Sequence, residues 1–473
     1  MSAPTLSSPP GSTDAPTAAA AGAPAAPAGT TTTPDAPVVH RRRGRWIDRW
    51  DPEDAHFWEN GGRRTAQRNL YPSIFAEFLG FAMWASWSIV VPQLASVGFT
   101  LTVNQQFWLI ALPSLVGATL RIPYTFAVPL FGGRNWTIIS ALLLLLPASA
   151  LAFVVTRPET TSFSTLMVVA ALAGLGGGNF ASSMANISFF YPEREKGKAL
   201  GLNAAGGNIG TAAVQLAVPI VIVIGAGLHL ERAGLMFIPL VLLAAVWAWR
   251  RMDNLSGAKS DYKAFGAAVR HRHTWIISFL YIGTFGSFIG FSGAFPTLLT
   301  TQFPAVALSV AFLGALVGSL ARPSGGMLAD RIGGARVTIA SYLVMALGTL
   351  GAILSLRAGS FWGFLLSFLL LFVATGVGNG SVYRMIPAVF QVGATDADDA
   401  ARRRKAAAGC IGIAGAVGAF GGFLIPRGFA VSNGITGSLE PALWAFIGMY
   451  AVMAVVTWAL YLRRGAALTT AGI

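Results

Sequence analysis

Twelve long apolar runs separated by short polar breaks fill the chain from Leu70 to Leu462. They lie near residues 70–95, 106–130, 135–156, 164–191, 198–225, 233–250, 274–299, 305–329, 337–356, 360–390, 407–430 and 440–462. Each is long enough to cross about 30 Å of hydrocarbon as a helix. In lipid the backbone must satisfy its own hydrogen bonds, which leaves only helices or closed barrels. Barrel strands of about ten residues with alternating polarity are not seen. The pattern predicts an all-α membrane protein with twelve transmembrane helices. Composition agrees: 54% of the 473 residues are hydrophobic and 11% are charged. A soluble domain carries about twice that charge. The single cysteine, Cys410, excludes an intrachain disulfide framework and a Cys-rich metal site.

The flanking segments are read separately. Residues 1–40 hold eight prolines and no Lys or Arg, the composition of a disordered tail rather than a signal peptide. Residues 41–69 mix arginines with Trp46, Trp50 and Trp58, which suits the headgroup layer of a membrane. A six-helix half over 70–250 and another over 274–462 are joined by a loop at 251–273, and residues 463–473 form a second tail. With the N-terminus inside, 26 of the 33 Lys and Arg fall on inner segments and 4 on outer ones. This positive-inside bias predicts cytoplasmic N- and C-termini in a cell (inner) membrane. It also accounts for the net charge of +14 without a nucleic-acid partner.

The two halves repeat each other. Arg121 is followed after ten residues by Gly132-Gly133, and Arg322 after ten by Gly333-Gly334. Gly176-Gly177-Gly178-Asn179 recurs as Gly376-Val377-Gly378-Asn379 at almost the same offset. A duplicated six-helix unit follows, with its binding site expected between the halves near the midplane. Eleven residues of helix put Arg121 and Arg322 roughly 16 Å from the inner mouth. An arginine at that depth costs about 2.5–3.5 kcal/mol on insertion scales, so stability does not explain two of them.

Buried carboxylates are too few to neutralise both. Of the 19 Asp and Glu, only Glu77 falls well inside a span, and it can serve one arginine at most. At least one midplane guanidinium is therefore expected to meet an anion from outside. The planar, forked guanidinium matches trigonal or bent oxyanions such as nitrate, nitrite, formate or bicarbonate better than chloride.

Several stretches carry a resemblance to a known family. Arg121-Ile122-Pro123-Tyr124 through Phe131-Gly132-Gly133-Arg134-Asn135-Trp136 resembles the nitrate/nitrite porters of the major facilitator superfamily. So do the stretch from Asn179 to Phe190 and Phe279-Leu280-Tyr281 through Thr284-Phe285-Gly286-Ser287-Phe288. The likeness covers roughly residues 45–462 and is greatest toward bacterial nitrate/nitrite exchangers. It implies the major facilitator fold, two pseudo-symmetric six-helix halves, with the anion clamped by Arg121 and Arg322. It further implies an asparagine at Asn208, in Ala204-Ala205-Gly206-Gly207-Asn208-Ile209-Gly210, and aromatic walls at Phe180, Tyr281 and Phe285. Where this chain has Ala204 and Ala205 the family more often has glycines. Tyr281 and Phe285, four apart, share a helix face.

Other residues have conformational readings. Gly409, Gly412, Gly415, Gly418 and Gly421 recur every third residue, and Gly206 and Gly210 form a small-xxx-small pair. Such rows let helices touch and slide, with Gly206, Gly210, Gly415 and Gly418 as the gating set. Gly326 through Asp330-Arg331 to Arg336 resembles the superfamily's cytoplasmic locking motif, whose first-half counterpart lacks the aspartate.

Alternating access with exchange of nitrate for nitrite is the expected activity, serving nitrate assimilation or respiration. The alternative is a proton-coupled symporter for nitrate or another small planar monoanion, with Glu77 as the candidate proton carrier. All five histidines lie in the tail or near loops, which favours exchange. A channel and a receptor are weaker readings. An enzyme is not expected: there is no HExxH motif, Cys or His cluster or carboxylate pair. The expected partners are nitrate, nitrite and the bilayer, with no cofactor or metal, and a monomer is expected to suffice.

Overall fold

The structure, a computed structural model, describes residues 41–259 and 262–463; the expected tail of residues 1–40 and residues 464–473 lie outside the described residues. Twelve helical spans long and apolar enough to cross a membrane are present among the described residues. Spans 1–6 are Ala55–Val97, Val103–Phe131, Gly133–Val154, Phe163–Phe190, Glu193–Val221 and Arg232–Arg251. Spans 7–12 are Arg272–Gln302, Leu308–Ile332, Gly334–Arg357, Phe361–Gln391, Ala397–Thr436 and Glu440–Leu462. The count and order match the apolar runs. The ends move by several residues, because polar first turns such as Glu193 to Lys196 continue a helix that hydropathy alone cuts short.

With twelve crossings, both described chain ends lie on one face, here the terminal face. The halves meet where span 1 packs on span 7, span 2 on span 11 and span 5 on span 8. The repeated Gly-Gly pairs have a local cause. Gly132 and Gly333 turn the chain between spans 2 and 3 and between spans 8 and 9, at φ 86° and 93°. Only glycine adopts that geometry without strain. The second glycine of each pair lies under a neighbouring helix. A Cβ on Gly133 would strike the Asn186 side chain, and one on Gly334 would come within 2.5 Å of Met385.

Residues 41–54 are folded onto the bundle, and span 1 begins at Ala55, inside the 41–69 segment expected at the interface. Arg41–Arg42 pairs antiparallel with Trp46–Ile47, which pairs in parallel with Asn254–Leu255. Trp58 is buried and donates to Glu195 Oε1 at 2.9 Å, while Trp50 packs edge-on against Phe57 and Phe190. The acid at this junction escaped the sequence census, which counted it as a loop residue. Asp253 is wholly buried, paired with Arg45 at 2.9 Å and Arg68 at 2.5 Å. The central loop also holds a helix, Tyr262–Arg270, whose Tyr262 and Phe265 pack against Phe126 of span 2 at 5.4 Å.

The opposite face is closed between the halves. Phe107 stacks with Phe429 at 5.9 Å, Trp108 meets Phe423 at 5.9 Å, and Arg427 donates to Asn104 at 2.8 Å. Arg427 also lies 4.0 Å over the Trp108 ring.

Candidate functional site

Arg121 on span 2 is 1% exposed. Its Nε donates to the Gly177 carbonyl at 3.1 Å, within its own half, and one terminal nitrogen donates to the Gly415 carbonyl of the other half at 2.6 Å. Both acceptors are neutral, so they orient the group without cancelling its charge. Four aromatic rings surround it: Phe180 at 4.6 Å, Phe285 at 5.2 Å, Trp84 at 5.5 Å and Phe81 at 6.0 Å. Ring faces offset part of the cost of burying a cation. Its second terminal nitrogen is buried without a partner. No carboxylate pairs with Arg121 or Arg322 among the described residues.

Arg322 on span 8 is half-buried. It reaches the Tyr281 hydroxyl at 3.5 Å, lies 5.3 Å over the Tyr383 ring, and keeps one terminal nitrogen buried and unpartnered. Tyr281 donates its hydroxyl to Asn379 Oδ1 at 2.5 Å and stacks on Phe285 at 5.2 Å. Phe285 in turn stacks on Phe180 across the two halves at 6.4 Å. A continuous aromatic wall therefore links the two guanidinium environments. Span 7 builds it with a widened π turn, Ile282–Gly286, directly after Tyr281. Such turns re-aim side chains inside a helix.

Of the residues singled out in the sequence, Arg121, Arg322, Phe180, Tyr281 and Phe285 come together here. Asn208 is 1% exposed, with Oδ1 buried and unpartnered, and makes no hydrogen bond to either arginine among the described residues. Glu77 is fully buried but sits in its own network on the first half. Asn203 donates to its Oε2 at 2.7 Å and to Ser183 at 2.6 Å, while Oε1 has no partner. Four members escaped the sequence reading. Asn379 had a signal, being the last residue of the repeated glycine phrase. Phe81, Trp84 and Tyr383 had none, since lone aromatics in apolar spans are usually core.

This architecture has known counterparts. The family model for the Major Facilitator Superfamily matches residues 74–426. The nitrate/nitrite transporter NarU of Salmonella typhimurium is 41% identical over 88% of this chain and 96% of its own length. The probable nitrate/nitrite antiporter NarK2 of Thermus thermophilus is 36% identical over 91% and 99%. The chain belongs to the nitrate/nitrite porter family of the major facilitator superfamily. Among solved structures, a D-xylose–proton symporter aligns with a TM-score of 0.62 at 15% identity, covering 82% of this chain and 96% of that one. An inward-facing bacterial homologue of the lysosomal transporter Spinster aligns with a TM-score of 0.56 at 16% identity, over 86% and 95%. At such identities these two show the fold alone.

Within this major facilitator frame, the glycines expected to gate occupy two seams. Gly206 and Gly210 lie against span 1, where a Cβ would strike Ile74 and the Phe78 carbonyl respectively. On span 11, a Cβ on Gly418 would come within 2.5 Å of the Tyr281 ring, and one on Gly415 within 3.1 Å of the Tyr383 hydroxyl. Gly412, in the same row, faces open space. Asp330 accepts from Arg384 of span 10, away from the arginine box, while Arg331 is exposed. The ion pair sits within the second half; the superposable place in the first half, Pro129 and Met184 by the repeat offset, carries no charge.

Proposed function

We propose that this porter exchanges nitrate for nitrite across the cytoplasmic membrane by alternating access, holding the anion between Arg121 and Arg322. The observation that carries it is two guanidiniums, each oriented by protein, each with a free terminal nitrogen, and neither neutralised by a carboxylate. The printed names of the relatives support the substrate pair. The basic residues on the terminal face support its being cytoplasmic. One chain contributes every member of the box, which supports action as a monomer.

Charge supplies the exchange step. Two cations facing each other in a closing, low-dielectric cavity repel, and one bound monoanion relieves that repulsion. The loaded carrier therefore reorients more readily than the empty one. The test is tracer nitrate uptake into proteoliposomes at a clamped pH gradient, preloaded with nitrite or with nothing. Preloading should accelerate uptake severalfold. Equal uptake into empty vesicles, or conductance without counter-substrate, would exclude obligatory exchange.

Two variants refine the reading. Tyr281→Phe removes the hydroxyl that joins Arg322 to Asn379 while keeping the stack on Phe285. It should weaken nitrate affinity by about tenfold, the worth of a charge-assisted hydrogen bond, as read by titration calorimetry. Glu77→Gln should leave exchange within about twofold, because an amide can keep the Asn203 contact. The buried, half-satisfied carboxyl of Glu77 is the specific feature that keeps proton symport as the second reading. Loss of pH-driven nitrate uptake in Glu77→Gln, with binding intact, would favour it.

A further inference from the structure

A small, partly open cavity of about 20 Å³ lies between the arginine box and the closed opposite face. Its polar lining is Ser88, Ser114, Thr211 and Ser292, beside Trp84. Spans 1, 2 and 5 of the first half supply three of these hydroxyls and span 7 of the second half supplies Ser292, so the cavity straddles the seam that alternating access opens. Helix rise puts Ser114 about 10 Å beyond Arg121, and Ser292 about 10 Å beyond Phe285, both toward the opposite face.

The hydroxyls here differ: Ser88 donates to the Ala85 carbonyl at 2.7 Å, whereas two others have no partner. In an apolar helix a Ser or Thr normally turns its hydroxyl back to the carbonyl four residues earlier. Thr125, Ser319 and Thr349 do so in this protein. Thr211 and Ser292, each 2% exposed, leave their hydroxyl oxygens buried and unpartnered. Gln215, one turn beyond Thr211, ties the seam beside these residues by donating across it to the Ser292 carbonyl at 2.7 Å and within its half to Ser88 at 3.1 Å. Leaving a buried hydroxyl unmet costs about 1–3 kcal/mol, a cost that a ligand entering between Thr211 and Ser292 would offset.

We infer that this hydroxyl-lined cavity is a second anion station, where Ser114, Thr211 and Ser292 donate to a partly dehydrated oxyanion passing between the arginine pair and the opposite mouth. In the closed state shown, the space suits one water. When the halves part on this side, Ser292 moves away from the other hydroxyls and the station widens to admit the anion. Neutral donors suit a transit point: they replace hydration without holding the ion as firmly as a guanidinium does.

The inference rests on the transport reading above, and its test separates the two. The variant Ser114→Ala/Thr211→Val/Ser292→Ala keeps the shape of the lining but removes the three donors. Nitrate affinity is measured by calorimetry in detergent and nitrite-driven exchange in proteoliposomes. Exchange should fall about tenfold while affinity stays within about twofold of the parent, and Thr211→Ser alone should exchange like the parent. Parental exchange in the triple variant overturns the station and leaves the cavity as a water pocket. Affinity lost in step with rate overturns it too, by assigning the hydroxyls to the arginine box. A parent that binds and exchanges no nitrate would instead defeat the transport reading itself.

Discussion

Arg121→Lys is expected to abolish nitrate/nitrite exchange while leaving the protein inserted and folded, and Arg322→Lys to do the same. In Arg121 two nitrogens are committed to the carbonyls of Gly177 and Gly415, and a third remains for the anion. An ammonium offers three donors radiating from one point, without the planar fork. If it reaches both carbonyls it has no coplanar pair to present to a trigonal oxyanion. Losing one charge-assisted contact of about 2–3 kcal/mol weakens binding by about a hundredfold. Folding should survive, because the positive charge and the aromatic surroundings of Phe180 and Phe285 remain available to lysine. Calorimetry for affinity, vesicle uptake for transport and size-exclusion profiles for folding check the three parts separately. Full uptake by both lysine variants would defeat the clamp.

The Gly415 bond gives Arg121 a second consequence. Its acceptor belongs to the opposite half, on a helix that the proposed cycle moves relative to span 2. In the proposed cycle one guanidinium is both a ligand for the anion and a tie between the moving bodies, so occupancy and conformation are coupled at a single side chain.

The two halves and the buried arginines were legible because they rest on periodicity and a charge census, while Phe180, Tyr281 and Phe285 were marked by the family resemblance. Twelve runs of hydrophobic residues need no tertiary information to be read as helices. The paired offsets of Arg121 and Arg322 marked two arginines that the structure brings to one aromatic wall. What escaped depends on contacts between distant segments. Asp253 looked like an ordinary loop acid, and only folding of Arg45 and Arg68 onto it buries it. Trp58 suited a membrane surface by type, yet its indole nitrogen has a partner 137 residues away in Glu195. Glu77 was correctly singled out as the one acid deep in a span, but its partner Asn203 lies on another helix and has no sequence signature. The π turn after Tyr281 likewise has no periodic signal, since five residues are too few to shift a hydrophobic pattern.

The repeated glycine phrase yields the second large effect, on folding rather than transport. Gly176→Val is expected to cost about 3 kcal/mol or more and to remove monodisperse protein from detergent extracts, because overpacking against backbone cannot relax through a rotamer change. A Cβ there would run into the Gly80 carbonyl of span 1, and one on Gly80 would come within 2.8 Å of the Gly176 carbonyl. Two helices are in backbone contact, each at the other's glycine. Gly376→Val should fail equally, yet by a different contact: its Cβ would meet the Gly318 carbonyl of span 8 and lie 3.0 Å from Ala321. Both phrases seat the first two helices of their half, but with partners exchanged: Gly178 lies against Leu120 and Tyr124 of span 2, whereas Gly378 lies against Thr284 of span 7. Gly412→Val is the control, since nothing lies within 4 Å of its Cβ position. Thermal unfolding followed by size-exclusion fluorescence should separate the three, with Gly412→Val near the parent. A Gly176→Val protein as stable as Gly412→Val would mean that spans 1 and 4 are not in backbone contact. Arg121 would then lose the fixed Gly177 carbonyl that aims it.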